Sequence, residues 1–428
     1  MNKIEFYKET EFKETPIGKI PKDWKVASLE EVSKEIRTGP FGSQLKKSEL
    51  SQGGVKVYTQ ENILKRDFSI GNLYISQTRF EKLKSMEVKP RDVLITIRGS
   101  TGASAIFPEG AERGIIHTNL AIIRTKEELL PEYLCILIND FPPIKSQIKE
   151  FSSATTLGAL YAKQIKKIKI LLPPVVEQRA IVEVLSVVDL AIQRTDMVIA
   201  KTERLKKGLM QMLLTKGIGH KEFKDTEIGK IPKTWQIVKL KEIAEIRGNK
   251  IVSSFEKVAF IPMELIPDGE IFVKYEVRNL KDVSSSTYCE AGDLLLAKIT
   301  PSLENGKQGI VPEDIPNGFA LATTEVYPIV CKGIDKLFLF YILKFPKFRK
   351  VLEFSMRGTT GRQRVPKEAV ENLRIPLPPY EEQEEIADIL LKVDEKLEFE
   401  KKERARLEII KQGLMDLLLT GKVRVRVN

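Results

Sequence analysis

The chain has 428 residues, 42% hydrophobic and 30% charged, enough apolar material for two to four buried cores and too much for a disordered chain. Lys and Arg number 70 against 59 Asp and Glu, and the resulting net charge of +11 is spread along the whole sequence, which favours a polyanionic partner such as nucleic acid. Three scattered cysteines, Cys135, Cys289 and Cys331, without CxxC spacing suggest neither a disulfide framework nor a zinc site, and no apolar run reaches membrane-spanning length, so a cytoplasmic protein with no membrane association is expected.

Residues 1–22 form an N-terminal frame segment whose end, EFKETPIGKIPKDW at 11–24, returns as EFKDTEIGKIPKTW at 222–235. Two further segments recur: LPPVVEQRAI at 172–181 as LPPYEEQEEI at 377–386, and KKGLMQMLLT at 206–215 as KQGLMDLLLT at 411–420. Between the copies the sequences differ. Similar frames around dissimilar interiors mean two modules of one plan with different cargoes.

The first interior, 23–173, offers strands at 55–58 (VKVY), 92–99, 114–125 and 165–172, and a helix at 131–150 interrupted near Pro142 and Pro143. After Pro173 and Pro174 the pattern turns helical over 174–221. Ile181, Val188, Thr195, Thr202 and Leu209 share a heptad position, with Leu185, Ile192 and Ile199 four residues on and Val184, Val198, Leu205 and Met212 three residues on. The second interior, 222–377, offers strands at 259–266, 293–300 and 322–330 and a helix near 336–353. After Pro378 and Pro379 a second helical segment, 378–428, carries Ile386, Val393, Leu407 and Leu414 in one phase, joined by Leu397, Ile410 and Leu417, and Gly421 ends it. Prolines suit a first helical turn and no later one. The expected fold is α+β: two mixed α/β domains separated by two long antiparallel helices forming a coiled coil, with a pseudo-two-fold internal repeat.

The loops carry the binding chemistry. TGPFGSQLKK at 38–47, RGSTGAS at 98–104, SSATTLGALYAKQIKK at 152–167 and RGTTGRQRVPK at 357–367 join glycines to hydroxyls and cations that suit phosphates. In the first domain the DNA-facing candidates are Lys46, Lys47, Arg98, Ser100, Thr101, Thr155, Thr156, Lys163 and Gln164. In the second they are Arg247, Lys250, Lys298, Arg357, Thr359, Thr360, Arg362, Gln363 and Arg364, with Arg and Gln forks matched to guanine and adenine edges.

The motif Pro173-Pro174-x-x-Glu177-Gln178, repeated as Pro378-Pro379-x-x-Glu382-Gln383, together with the KxGLMxxLLT ends and IGKIPxxW openings, resembles the specificity subunit of type I restriction-modification systems. TGPFGSQLK and GDLLLAKITPSLENGKQGIV at 292–311 look like segments of that family's target recognition domains. The resemblance spans essentially the whole chain. It implies two target recognition domains, each reading half of a bipartite asymmetric DNA site, and two helices that set the spacing. It also implies two methyltransferase subunits on the helical frame and restriction and translocase subunits that join them. The Pro-Pro and Glu-Gln positions transfer as frame residues; base-contacting residues vary within the family and do not transfer.

Catalytic motifs are absent. An amino-methyltransferase needs Asp or Asn before Pro-Pro-aromatic; Leu377 stands before Pro378-Pro379-Tyr380, and Asp140-Phe141-Pro142-Pro143 has the wrong order. Asn305-Gly306-Lys307-Gln308 lacks the loop and hydroxyl of a nucleotide-binding turn, and Pro267-Asp268 has no acidic-x-Lys pair at usable distance for a metal-dependent nuclease. His117 and His220 are the only histidines. A non-enzymatic protein without cofactor or metal is expected; a coiled-coil adaptor that gathers proteins is the competing class, separated from a DNA reader by salt-dependent binding.

Overall fold

The computed structural model describes residues 4–40, 44–154, 158–359 and 361–427. The chain divides into two compact units, Met1–Arg194 with Arg404–Asn428, and Thr195–Glu403. Each builds the same plan. In the first unit four antiparallel strands lie in the order Ser104–Ile106, Val93–Thr96, Leu120–Thr125, Ser33–Thr38. The second unit repeats this as Gln308–Ile310, Leu294–Ala297, Val326–Cys331, Ala244–Ile246. The central strands, VLIT and LLLA, are buried at every position, which explains apolar runs without alternation. A smaller mixed sheet completes each domain, with Gly114–Ile116 parallel to Val55–Tyr58 and Lys257–Ile261 parallel to Phe319–Ala322.

Two expected elements are divided. The run at 114–125 makes two strands in different sheets, split at 117–119, and the run at 165–172 becomes a short helix, Ala162–Lys167, followed by strand Lys169–Leu172. Proline cuts the expected domain helices into Pro131–Asp140 with Pro142–Ser153, and Lys336–Lys344 with Pro346–Phe354. Proline has no N–H to continue a helix and forces its predecessor extended, as at Phe141 (φ −86°, ψ 115°) and Phe345 (φ −67°, ψ 124°).

Lys25–Ser28 pairs with Lys169–Leu172, and Gln236–Lys239 with Arg374–Leu377, so the chain leaves each domain beside the point at which it entered. It then passes the proline pair into a long helix: Val175–Lys216 of 42 residues, and Tyr380–Leu419 of 40. Ile181, Leu185 and Ile192 are buried in the first unit with Met415, Leu418 and Leu419; Leu213 and Leu214 are buried in the second with Ile386 and Leu390. Leu205, Met212, Ile410 and Leu417, assigned to the seams by periodicity, are instead 55%, 47%, 42% and 39% exposed. Lys411 pairs with Asp189 at 2.7 Å in the first unit, and Lys401 with Glu203 at 3.5 Å and Lys206 with Asp394 in the second.

The Glu-Gln pair in each helix's first turn locks a domain to its helix. The Trp24 indole donates to Glu177 Oε2 at 3.0 Å and the Trp235 indole to Glu382 Oε2 at 2.9 Å. Gln178 accepts from the Leu130 amide at 2.9 Å and donates to the Glu128 and Pro173 carbonyls, while Gln383 accepts from the Asp335 amide at 2.9 Å and donates to Pro378. Buried backbone groups demand such partners, so these residue types are set by the joint.

The side chain facing each lock differs. In the second unit His220 meets Glu382 Oε1 at 2.8 Å from the segment that follows the helix. In the first, buried Arg424 bonds Glu177, Asp23 and Glu9, and its strand, Val423–Val427, pairs antiparallel with Ile4–Lys8.

Leu130 and Asp335 occupy equivalent joints, so three residues on Tyr133 corresponds to Phe338. Tyr133 is fully buried, and its hydroxyl has no hydrogen-bond partner among the described residues. Tyr133→Phe removes an unsatisfied group without opening a cavity and is expected to stabilise the chain by about 1 kcal/mol, read as a higher denaturant midpoint at constant slope. A lower midpoint would show that the hydroxyl is bonded in solution.

Candidate nucleic-acid interface

In each unit two of the candidate loops meet at one end of the large sheet. In the first unit the segment after Val93–Thr96 is gripped from two sides, with Leu160 N–H on the Ile97 carbonyl at 2.9 Å and Ile97 N–H on the Asn119 carbonyl at 2.8 Å. Gly39 closes the cluster. A Cβ there would lie 2.1 Å from the His117 carbonyl oxygen, so glycine serves backbone packing rather than ligand approach. His117 is half-buried, and burial lowers its pKa, favouring the neutral ring.

The second unit repeats the grip. Val365 N–H bonds the Lys298 carbonyl at 2.8 Å and Thr300 N–H bonds the Gln363 carbonyl at 2.9 Å. Arg357 and Arg364 exchange backbone bonds at 2.9 Å, the antiparallel bridge that closes a hairpin. Equivalent backbone thus presents unlike side chains in the two copies.

Arg98, Ser100 and Thr101 lie in the first cluster. Arg98 is half-buried, its Nε without a partner among the described residues, Ser100 is exposed, and Thr101 Oγ1 reaches the Gly158 carbonyl at 3.5 Å. Lys163 is exposed on the adjoining short helix. Gln164 is committed to structure, accepting from Tyr161 N–H at 2.8 Å and donating to the Phe151 carbonyl at 2.7 Å. Lys46 is exposed in its loop, and Lys47 opens the turn Lys47–Glu49. The Lys47 side chain, Thr155, Thr156 and Thr360 lie outside the described residues, as do 41–43 of the TGPFGSQLKK loop.

In the second cluster Arg357, Thr359 and Arg362 are exposed, and among the described residues their side chains have no bonded partner; Gln363 is half-buried. Arg364 forks onto Glu325 at 2.7 and 2.9 Å, and this pairing holds the Glu325 carboxyl below its ordinary pKa. Lys298 sits 4.8 Å above the Tyr327 ring, its pKa lowered chiefly by burial. Lys250 is exposed, 5.2 Å above the Tyr288 ring. Arg247 stands apart: it clamps Asp293 at 2.5 and 2.8 Å and Glu290 at 2.8 Å. Arg124 grips Asp92 in the same way in the first unit, at 2.7 and 2.8 Å. Both arginines anchor the aspartate that opens the central strand.

Sequence reasoning passed over Gln60, whose Oε1 is buried without a partner among the described residues; a Cβ on Gly99 would lie 3.5 Å from it. It follows the VKVY strand with neither glycine nor cation beside it, so no local pattern marked it.

One scaffold used twice, each copy ending in a differently furnished polar and cationic loop cluster, defines a protein of two like modules with unlike loops. The family described as type I restriction modification DNA specificity domain matches residues 21–202 and again 232–409. The chain is 31% identical over 434 residues to the type I restriction enzyme MjaVIII specificity subunit of Methanocaldococcus jannaschii, covering 99% of this chain and 98% of that protein. It is 38% identical to the EcoAI specificity subunit of Escherichia coli over 163 residues, 36% of this chain and 27% of that one. The type I restriction-modification system S subunit from M. genitalium shares the fold, with a TM-score of 0.57 at 15% identity over 94% of this chain and 98% of that one. A chain from a structure describing complex assembly and conformational transition of the type I R-M system also shares it, with a TM-score of 0.53 at 19% identity over 94% and 99% of the two chains. The chain belongs to the type I restriction-modification specificity subunits.

Proposed function

We propose that this chain is the non-catalytic DNA-reading subunit of a type I restriction-modification complex, each loop cluster docking on one half of a bipartite, asymmetric duplex site. The observation that carries the reading is the paired grip, Leu160 on Ile97 and Val365 on Lys298, which places unlike side chains on like backbone. Two half-sites of different sequence need that combination. The first reader uses Lys46, Arg98, Ser100, Thr101 and Lys163, joined by Gln60. The second uses Arg357, Thr359, Arg362 and Gln363, with Lys250 and Lys298 at its edge and Arg364 available on release from Glu325. Thr155, Thr156, Thr360 and Lys47 belong to the same loops. Gln164 and Arg247 act by holding the backbone in place.

The two long helices run antiparallel as a coiled-coil spacer and seat two methyltransferase subunits, with restriction and translocase subunits joining that assembly. The ion-pair register within the second unit supports this direction: Glu203 with Lys401 and Lys206 with Asp394 advance oppositely along the two helices. Relatives named as type I specificity subunits support the assembly.

Duplex binding by the full chain is expected to weaken steeply with salt, by about 0.9 in log affinity per log salt for each phosphate contacted. Arg362→Ala is expected to cost about 1–3 kcal/mol with discrimination lost at one base pair, the signature of a base contact. A uniform loss with the slope reduced by about one would make it a phosphate contact, and binding indifferent to salt would replace the DNA reader with a protein adaptor.

A further inference from the structure

The short helix Pro346–Phe354 ends in an aromatic ring that is 88% exposed, and Val351, one turn earlier on the same face, is 53% exposed. Helices normally turn such residues inward, as this one does with Phe348 and Leu352. The outward pair is flanked by cations: Lys350 is exposed on the same helix, and the hairpin beginning at Arg357 follows directly, with Arg357 and Arg362 exposed.

The internal repeat supplies a control. In the first unit the equivalent helix, Pro142–Ser153, also follows an extended phenylalanine N-cap, Phe141 in place of Phe345. Counting from that cap, Gln147 stands where Val351 stands and Glu150 where Phe354 stands. A surface serving the shared frame would recur in both copies, as the Trp–Glu and Gln locks do. A feature present in one copy only belongs to what the copies do not share, the half-site each one reads.

We propose that Phe354 is an apolar wedge that enters or stacks against a base step of the half-site read by the second unit, with Arg357 and Arg362 on the flanking phosphates and bases. The inference rests on the DNA-reading assignment above. An unpaired ring beside cations suits a duplex, whose step can be partly unstacked to accept an apolar side chain while its phosphates meet the rim. The unit carrying Glu150 at this position reads its half-site without a wedge.

The test uses the full chain and its own site, mapped from the adenines its complex methylates, as a duplex carrying 2-aminopurine at successive positions of either half. The half-site belonging to the second unit is the one altered by exchanging residues 222–377. One position there is expected to brighten on binding, and none in the other half. Phe354→Ala should abolish the brightening and weaken binding about tenfold while leaving the melting temperature unchanged, because the ring is exposed. Phe354→Trp should keep the affinity, with its own emission quenched by the bases. If Phe354→Ala changes neither brightening nor affinity while Arg362→Ala still weakens binding, the wedge is wrong and the DNA-reading face stands. If neither substitution matters, the face itself is wrongly assigned. Loss of methyltransferase assembly with normal DNA binding in Phe354→Ala would overturn the wedge in favour of a protein contact.

Discussion

Arg424→Ala is expected to destabilise the first unit by about 3–5 kcal/mol, the cost of removing the cation from a buried ionic cluster and leaving its carboxylates unneutralised. Arg424 and Glu177 side chains are each only 7% exposed, and the guanidinium bonds Glu177, Asp23 and Glu9 together. Lysine cannot replace it, because an ammonium lacks the planar fork that serves two carboxylates at once. Hydrogen exchange should locate the damage: the amides of the Ile4–Lys8 and Val423–Val427 pair lose protection while those of Leu294–Ala297 keep theirs. Equal loss in both units would show that the cluster does not govern the first unit alone.

The same cluster sets an acid limit. Burial opposes the charge on Arg424, but its bonds to Glu177, Asp23 and Glu9 outweigh that and raise its pKa. The Asp23 carboxyl is held below its ordinary value chiefly by its bond to Arg424, and Glu9 chiefly by the Glu11 backbone amide. Carboxyls depressed in the folded state stabilise it above their unfolded pKa, near 4, and that contribution is lost as pH falls through the folded values. Melting of the first unit should therefore decline below about pH 5 in the parent chain and decline less in Arg424→Ala. Identical pH profiles would remove Asp23 and Glu9 from the account.

Lengthening both long helices by seven residues, after Arg194 and after Glu403, is expected to move the two methylated adenines apart by about three base pairs. Seven residues add about 10 Å at about 1.5 Å each, against about 3.4 Å per base pair, and a heptad nearly restores the helical phase. Insertion at those points leaves the Asp189–Lys411 and Glu203–Lys401 pairs within their own units. Modification of the original site should fall by roughly a thousandfold or more, since one reader can no longer reach its half. An unchanged gap in the mapped methylation would remove the spacer role from the helices.

What was legible in the sequence was what local chemistry dictates. The proline pairs open both helices because proline fits only a first turn, and Glu177, Gln178, Glu382 and Gln383 stood out because the same joint had to be satisfied twice. What was not legible came from distance along the chain. Arg424 sits beyond Gly421 in the segment read as helical, 378–428, where the structure has a strand, and its partners Glu9 and Asp23 are 415 and 401 residues away. Arg247 looked like a free cation in a glycine loop until the fold set Asp293 beneath it. Leu205 and Ile410 fit the heptad phase yet face outward, because a helix packed on a domain buries a stripe chosen by that domain and not only by its partner helix.

The two Trp–Glu locks differ in when they can shut during synthesis. His220 emerges in sequence with the helix it follows and belongs to the same unit as its glutamate, whereas Arg424 must return to a module whose other members were translated before the entire second unit. The half made first is therefore completed last. Damage or trimming around 423–427 would register as failure of the opening module, the one farthest from the lesion in the reading frame.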